Sequence, residues 1–183
     1  MRLKKLNEIN IEKMNPRKAA VLVLFYPDTK ANASFVLIQR KKYPGVHSNQ
    51  IAFPGGKIEN EDGNLKETAL REAEEEVGVM PEKVELVRSL TEVYIPPSNF
   101  LVMPYLGYTH VKPDFRPQPE EVEKIIEVSV EEFLDEANVF TQRLNTSYAK
   151  SIDVPAFRLQ GFTVWGATAM MLNEAKELLK GTL

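Results

Sequence analysis

The chain has 183 residues, 43% of them hydrophobic and 27% charged, which suits one soluble globular domain with a proper core. A formal net charge of −3 speaks against a nucleic-acid coat or a membrane-surface protein, both of which need a basic excess. No run approaches the roughly 18 apolar residues of a membrane span, the opening MRLKKLNEIN lacks the apolar centre of a signal peptide, and zero cysteines leave neither a disulfide framework nor a thiolate metal site.

In chain order, Leu3, Leu6 and Ile9 recur at helix-like spacing, so a short packed helix is expected in a helical extension over about residues 1–15. AAVLVLFY (19–26) and SFVLIQRKK (34–42) are β-rich runs around the turn signal PDTKANA and read as a hairpin. NQIAF (49–53) is a short strand leading into Pro54-Gly55-Gly56. A helix follows from about Leu65 to Val77, with Asn64 as its N-cap and Gly78 as its stop. Strands are expected near VELVRSLTEVYI and FLVMPYLGYTH, on either side of the rigid PPSN. The three prolines of PDFRPQPEEVE make a loop; KIIEVSV is a strand, VEEFLDEA a short helix. VWGATAMMLNEAKELLK closes the chain as a helix with an apolar face, anchored in the core by Trp165. Strands and helices are mixed rather than strictly alternating, which fits an α+β protein, an α/β/α sandwich around a mixed β-sheet.

The helix over 65–77 raises a physical question, because Glu72, Glu74, Glu75 and Glu76 crowd into five residues and like charges on a helix repel. At about 100° per residue, Ala69, Leu70, Ala73 and Val77 gather on the face that packs on the sheet. Glu72, Glu75 and Glu76 gather beside it, while Glu67 and Glu74 point to water. A solvated acidic face is the plain explanation. Against it, the helix lacks i,i+4 lysine partners, and Arg71 is its only nearby cation. Clustered hard oxygens instead suit Mg²⁺ or Mn²⁺, which would cancel the repulsion and let a polyphosphate approach. The Gly55-Gly56 backbone can come close to a ligand and offer a carbonyl, and Lys57 adds a charge directed at phosphate.

These residues resemble the signature of the Nudix hydrolases: Gly, five residues, Glu, seven residues, then Arg-Glu-apolar-x-Glu-Glu-x-Gly-apolar. Gly56 opens it and REAEEEVGV (71–79) closes it in full. The middle departs, with Asp62 in place of Glu and eight residues before Arg71. The resemblance implies a Nudix fold over nearly the whole chain and metal-dependent hydrolysis of a pyrophosphate joining a nucleoside to another group. It implies divalent metal on Glu72, Glu75, Glu76 and the carbonyl of Gly56, with Arg71 holding Glu75 or its neighbours by ion pairing. Glu72 and Glu121 are both candidates to take the proton of the attacking water; a solvated loop acid is the other reading of Glu121. A homodimer is compatible with the resemblance, and a cytoplasmic setting is expected.

VLIQRKKYPGVHSNQIAFPGG (36–56) is similar to the added signature of the coenzyme A pyrophosphatase branch of that family. Arg40 and Phe53-Pro54-Gly55-Gly56 match, while Gly45 stands in place of a second Arg, Lys41 in place of Ser/Ala and Asn49 in place of Gly. The implied substrate is coenzyme A or a related small-molecule nucleotide, cleaved to 3′,5′-ADP and 4′-phosphopantetheine, with Arg40, Lys41, Lys42, Phe53, Gly55 and Lys57 toward the substrate. ADP-ribose, NADH or another nucleoside diphosphate derivative is the alternative. A nucleotide-binding regulator without turnover is the alternative of another class. Tyr94, Phe100 and Tyr105 either stack on an adenine or pack, and His47 is a loop histidine with its hydrogen bonds satisfied.

Overall fold

The computed structural model describes residues 11–181 apart from 43, 46, 147 and 148, so the helix expected around Leu3, Leu6 and Ile9 lies outside the described residues. Ile11–Met14 form one turn of 3-10 helix. The expected hairpin follows: β1 (Arg17–Pro27) runs antiparallel to β2 (Ala33–Arg40), with Phe25 opposite Phe35 and Pro27 opposite Ala33. Asp28 shapes the turn, its carboxylate accepting the N–H of Lys30 at 2.7 Å and of Asn32 at 2.8 Å.

The remaining strands of this sheet are β3 (Ile51–Ala52), β4 (Gly55–Lys57), β5 (Glu85–Ser89), β6 (Val93–Ile95), β7 (Phe100–Tyr108) and β8 (Val122–Ser129). Its spine runs β3-β2-β1-β7-β5, with β4 on β1, β6 on β7 and β8 on β2. β1 and β7 are parallel, from Arg17 opposite Phe100 to Phe25 opposite Tyr108, and the other pairs are antiparallel. The sheet is therefore mixed, as the order of elements predicted.

The period of two along β1 explains the layers. Ala20, Leu22, Leu24 and Tyr26 face one side, and Ala19, Val23 and Phe25 face the other, so both faces are apolar and both must be covered. On the first, α1 (Leu65–Val77) lays down Ala69, Ala73 and Val77. On the second lie α2 (Val130–Leu134) through Phe133 and α3 (Gly166–Lys180) through Ala169, Met171, Leu172 and Ala175.

That second face also carries a three-stranded antiparallel sheet that the sequence pattern does not announce: β9 (Val139–Thr146), β10 (Ala149–Leu159) and β11 (Phe162–Trp165), in the order β11-β10-β9. Pro155 sits inside β10 opposite Thr141, and a proline within a run counts against a strand. Phe157, Leu159 and Val164 turn this sheet's apolar side inward. Phe133 joins the two sheets, its ring 5.0 Å from Phe35 and 5.7 Å from Phe157. Trp165 corrects an expectation. The alternation that buries Val164 turns Trp165 outward at 36% exposure, so α3 is anchored by Met171, Leu172 and Ala175 instead. Among the described residues, no helix is long and apolar enough to cross a membrane.

Candidate functional site

α1 begins and ends where its sequence says it should. The Asn64 side chain accepts the N–H groups of Lys66 at 2.9 Å and Glu67 at 3.2 Å. Gly78 ends the helix in the left-handed region, φ 74°, donating its N–H to the Glu74 carbonyl at 2.8 Å. With the apolar stripe on the sheet, Glu72 and Glu76, one turn apart, fall where stripe meets sheet and are buried, while Glu67, Glu74 and Glu75 remain exposed.

The glycine pair lies against both buried carboxylates. Gly55 has φ 154°, and a Cβ there would stand 2.3 Å from the Ala20 carbonyl oxygen; its N–H donates to Glu76 Oε2 at 2.8 Å. Gly56 pairs with Ala20 in the β1–β4 ladder, and a Cβ on it would fall 2.4 Å from the Glu72 carboxylate. A side chain at Gly55 would run into the β1 backbone, and one at Gly56 would displace the end of the Glu72 side chain.

Two arginines offset the acidic crowding. Arg71 donates to Asp62 through Nε and Nη2, both at 2.9 Å, and through Nη1 to Glu72 at 3.0 Å and Glu75 at 3.1 Å. Its Nη2 also reaches the Lys57 carbonyl at 3.2 Å. Asp62 further accepts the Glu59 N–H and the Thr68 hydroxyl, each at 2.9 Å. The Arg71 guanidinium, with these two donors, holds the Asp62 carboxyl well below the usual carboxylate range. The departure from the motif at Asp62 thus has a physical content: this carboxylate fixes the arginine that fixes Glu72 and Glu75.

The second arginine comes from across the sheet. Arg40, at the end of β2, donates from Nη1 to Glu76 Oε1 at 3.2 Å, and its Nη2 stands 3.9 Å from Glu121. Sequence neighbours could not reveal this cation, because it reaches the helix through strand pairing. Burial pushes the Glu76 carboxyl up to about 7 despite Arg40 and the Gly55 N–H, which act against it. Glu72 is also pushed up, again by burial, with Arg71 opposing.

Glu121 arrives on the proline-rich loop, which is stapled to the end of α1. The Arg116 N–H donates to the Val77 carbonyl at 2.9 Å, and the Gln118 N–H donates to the Glu76 carbonyl at 3.0 Å. The Lys41 N–H donates to the Glu121 carbonyl at 2.8 Å, tying the same loop to β2. Glu72, Glu75, Glu76, Gln118 and Glu121 together line a cavity of about 230 Å³. Gln118 was not singled out from the sequence; its only signal is its place three residues before Glu121 in that loop.

Other expected site residues stand further out. Lys57 is exposed and 3.6 Å from Glu59, and Lys41 is 3.7 Å from Glu123. Lys42 is exposed. Phe53, expected toward the substrate, is corrected to a packing role: it is 2% exposed, with its ring 6.3 Å from Phe35. His47 meets Gln50 at 3.1 Å, Tyr94 donates to Asn99 at 2.9 Å, Arg17 lies over the Phe100 ring at 4.1 Å, and Tyr105 is buried on the α1 side of the sheet. These four pack or bond elsewhere and do not line the cavity.

The donor set consists of hard oxygens, which fits Mg²⁺ or Mn²⁺ in kind. The Gly56 backbone stands close to the Glu72 carboxylate. Among the described residues, however, no three carboxylate or imidazole groups stand close enough together to hold one ion. Glu76 is turned onto Gly55 and Arg40, and Glu75 onto Arg71.

Comparison with known proteins gives a consistent result. The family model described as the NUDIX domain matches residues 15–147. Nudix hydrolase 15, mitochondrial, of Arabidopsis thaliana is 31% identical over 169 residues, covering 90% of this chain and 59% of its own length. A Nudix hydrolase, NudL, of Pectobacterium atrosepticum is 31% identical over 164 residues, covering 86% of this chain and 80% of its own. The chain spans 59%, 55% and 65% of the first curated relatives it matches, under two thirds in each case. The NUDIX domain of Shewanella oneidensis NrtR, solved with ADP ribose, superposes with a TM-score of 0.60 at 15% identity, over 98% of this chain and 99% of that one. A C. elegans Ap4A hydrolase binary complex gives 0.57 at 16% identity, over 90% and 98%. At these identities the solved structures speak to the fold.

Proposed function

The chain belongs to the Nudix hydrolase family, and from that premise we propose that it hydrolyses the pyrophosphate linkage of a nucleoside diphosphate derivative, coenzyme A or a close relative, with Mg²⁺ or Mn²⁺. The observation that carries this is the cavity of about 230 Å³ walled by Glu72, Glu75, Glu76, Gln118 and Glu121, with Gly56 laid against Glu72. Glu72, Glu75, Glu76 and the Gly56 carbonyl would hold the metal. When bound, it would supply charge neutralisation for the phosphates and acidify a water.

The chain's own residues have defined tasks. Asp62 holds Arg71, and Arg71 keeps Glu72 and Glu75 in place. Water attacks one phosphorus, the bridging P–O bond breaks, and a carboxylate takes the proton. Glu72 suits that role through its raised proton affinity, Glu121 through its place on the cavity wall.

Coenzyme A is the preferred substrate on the strength of Arg40, which stands in the site, and of Lys41, whose backbone is bonded to Glu121. The 3′-phosphate that distinguishes coenzyme A calls for a Lys or Arg partner, and Lys41 and Lys42 fit that need. Gly45, where the branch signature has a second arginine, favours the second reading: ADP-ribose, NADH or another derivative without that phosphate. Incubation with Mg²⁺ or Mn²⁺ and a panel of coenzyme A, acyl-coenzyme A, ADP-ribose, NADH and nucleoside triphosphates, with products identified by mass, separates the two. Glu76→Gln is expected to lower turnover by about 100-fold or more with an unchanged circular dichroism spectrum. Turnover near the wild-type rate would overturn the site assignment.

A further inference from the structure

We propose that Arg40 is a resident counterion of the site, which occupies Glu76 and Glu121 when no divalent cation is bound and passes to the substrate's phosphates when one is. This rests on the metal-dependent reading above and specifies how the site changes hands. Each oxygen of Glu76 has a donor, Oε2 the Gly55 N–H at 2.8 Å and Oε1 the Arg40 guanidinium at 3.2 Å. A divalent cation brought to Glu76 would repel the guanidinium on the same carboxylate, so metal and Arg40 compete for it.

The two partners are unequal in mobility. Gly55 is fixed in the β1–β4 ladder opposite Val21, with its backbone wedged against Ala20, and cannot withdraw without breaking that pairing. Arg40 is a long side chain at a strand end, 24% exposed, with rotatable bonds and water on one side. Arg40 is therefore the partner that yields. Glu76 is 2% exposed and would otherwise be a buried charge with only one N–H to meet it, so the guanidinium also keeps the metal-free fold tolerable. Glu121, 3.9 Å from the guanidinium and on the cavity wall, marks the direction in which Arg40 points out of the helix–sheet seam.

Once displaced, the guanidinium stands at the rim of an acidic cavity with its donors free. A pyrophosphate offers it paired oxygens of the geometry it binds best. Before substrate arrives, arginine and metal compete for Glu76; after it arrives, they hold different groups. Substrate and metal should then strengthen each other's binding through this one side chain.

The test is Mn²⁺ binding by calorimetry in the absence of any nucleotide, comparing wild type with Arg40→Gln. The variant is expected to bind Mn²⁺ about tenfold more tightly, because the competing charge has gone. It should also melt at lower temperature without metal and recover more of that loss when Mn²⁺ is added. Arg40→Lys, which keeps the charge, should stay within about threefold of wild type. Mn²⁺ affinity in Arg40→Gln equal to or weaker than wild type would overturn the exchange while leaving the metal site standing. Absence of Mn²⁺ binding by the wild type would overturn the metal site and the exchange together. If Arg40→Gln does not fold, the Arg40 side-chain Nε signal of the wild type decides by NMR. A signal that moves as Mg²⁺ saturates supports the exchange, and one that does not move overturns it.

Discussion

Asp62 is where a small departure in sequence becomes a defined physical task. It is 4% exposed at the side chain and bidentate to Arg71, holding the Nε and Nη2 edge of the guanidinium while Nη1 serves Glu72 and Glu75. Asp62→Asn is expected to cost about 2 kcal/mol of stability at neutral pH, the scale of a hydrogen bond to a charged group, and to weaken Mn²⁺ binding about tenfold by loosening Arg71. The pH dependence follows from the sign of its shift. A carboxylate held below its ordinary value of 3.8 contributes stability that is complete above that pH and fades as pH falls below it. The gap in urea-unfolding stability between wild type and Asp62→Asn should thus close at low pH; a gap that widened on acidification would contradict the clamp. Lys41→Ala and Lys42→Ala belong to the same scale. If they read a 3′-phosphate, kcat/KM for coenzyme A should fall about tenfold more than for dephospho-coenzyme A; equal losses would remove that role.

The loop and helix from Gly55 to Gly78 were legible because local rules govern them. Asn64, Gly78 and the stripe of Ala69, Ala73 and Val77 each act within one or two turns, and the structure follows them. The two glycines separate fold from function within a single step of the chain. At Gly55 a Cβ would meet backbone at 2.3 Å with φ at 154°, so Gly55→Ala should cost about 3 kcal/mol or more. At Gly56 the Cβ would meet only the far end of the Glu72 side chain. Gly56→Ala should therefore stay within about 1 kcal/mol of wild-type stability while lowering Mn²⁺ affinity about 10- to 100-fold. Thermal melts beside calorimetry check both. What stayed hidden was Arg40 on Glu76 and Gln118 on the cavity wall, because each comes to α1 by strand pairing or loop stapling over dozens of residues. No local periodicity encodes such a meeting. Phe53 and Trp165 face other ways than expected for a related reason: an aromatic residue beside a motif shows its type, but only its setting against the paired strands shows which way it turns.

At the scale of the whole chain, the mixed sheet was expected from the order of elements, whereas the β9–β11 sheet was not. Its strands hold Pro155 and a run of mixed polarity, and they become strands by pairing with one another over the face left open by α1. Phe35, Phe133 and Phe157 make the two sheets one body. Phe133→Ala is expected to lower unfolding free energy by about 3–5 kcal/mol, the cost of a large buried cavity, in a urea transition that stays single. Below its melting temperature the variant should keep its kcat, since Phe133 lies on the face of the sheet away from the carboxylates. A second, separate transition would show that the small sheet is held independently.

The outward turn of Trp165 has a practical consequence for anyone following this protein by light. It is the chain's one tryptophan and already meets water at the end of β11, just before α3. At 36% exposure its native emission should lie between those of a buried and a fully hydrated indole and shift only part of the usual way as the chain unfolds, so melts are better followed by far-ultraviolet ellipticity. A blue shift on mixing with another macromolecule would report contact at that corner of the surface.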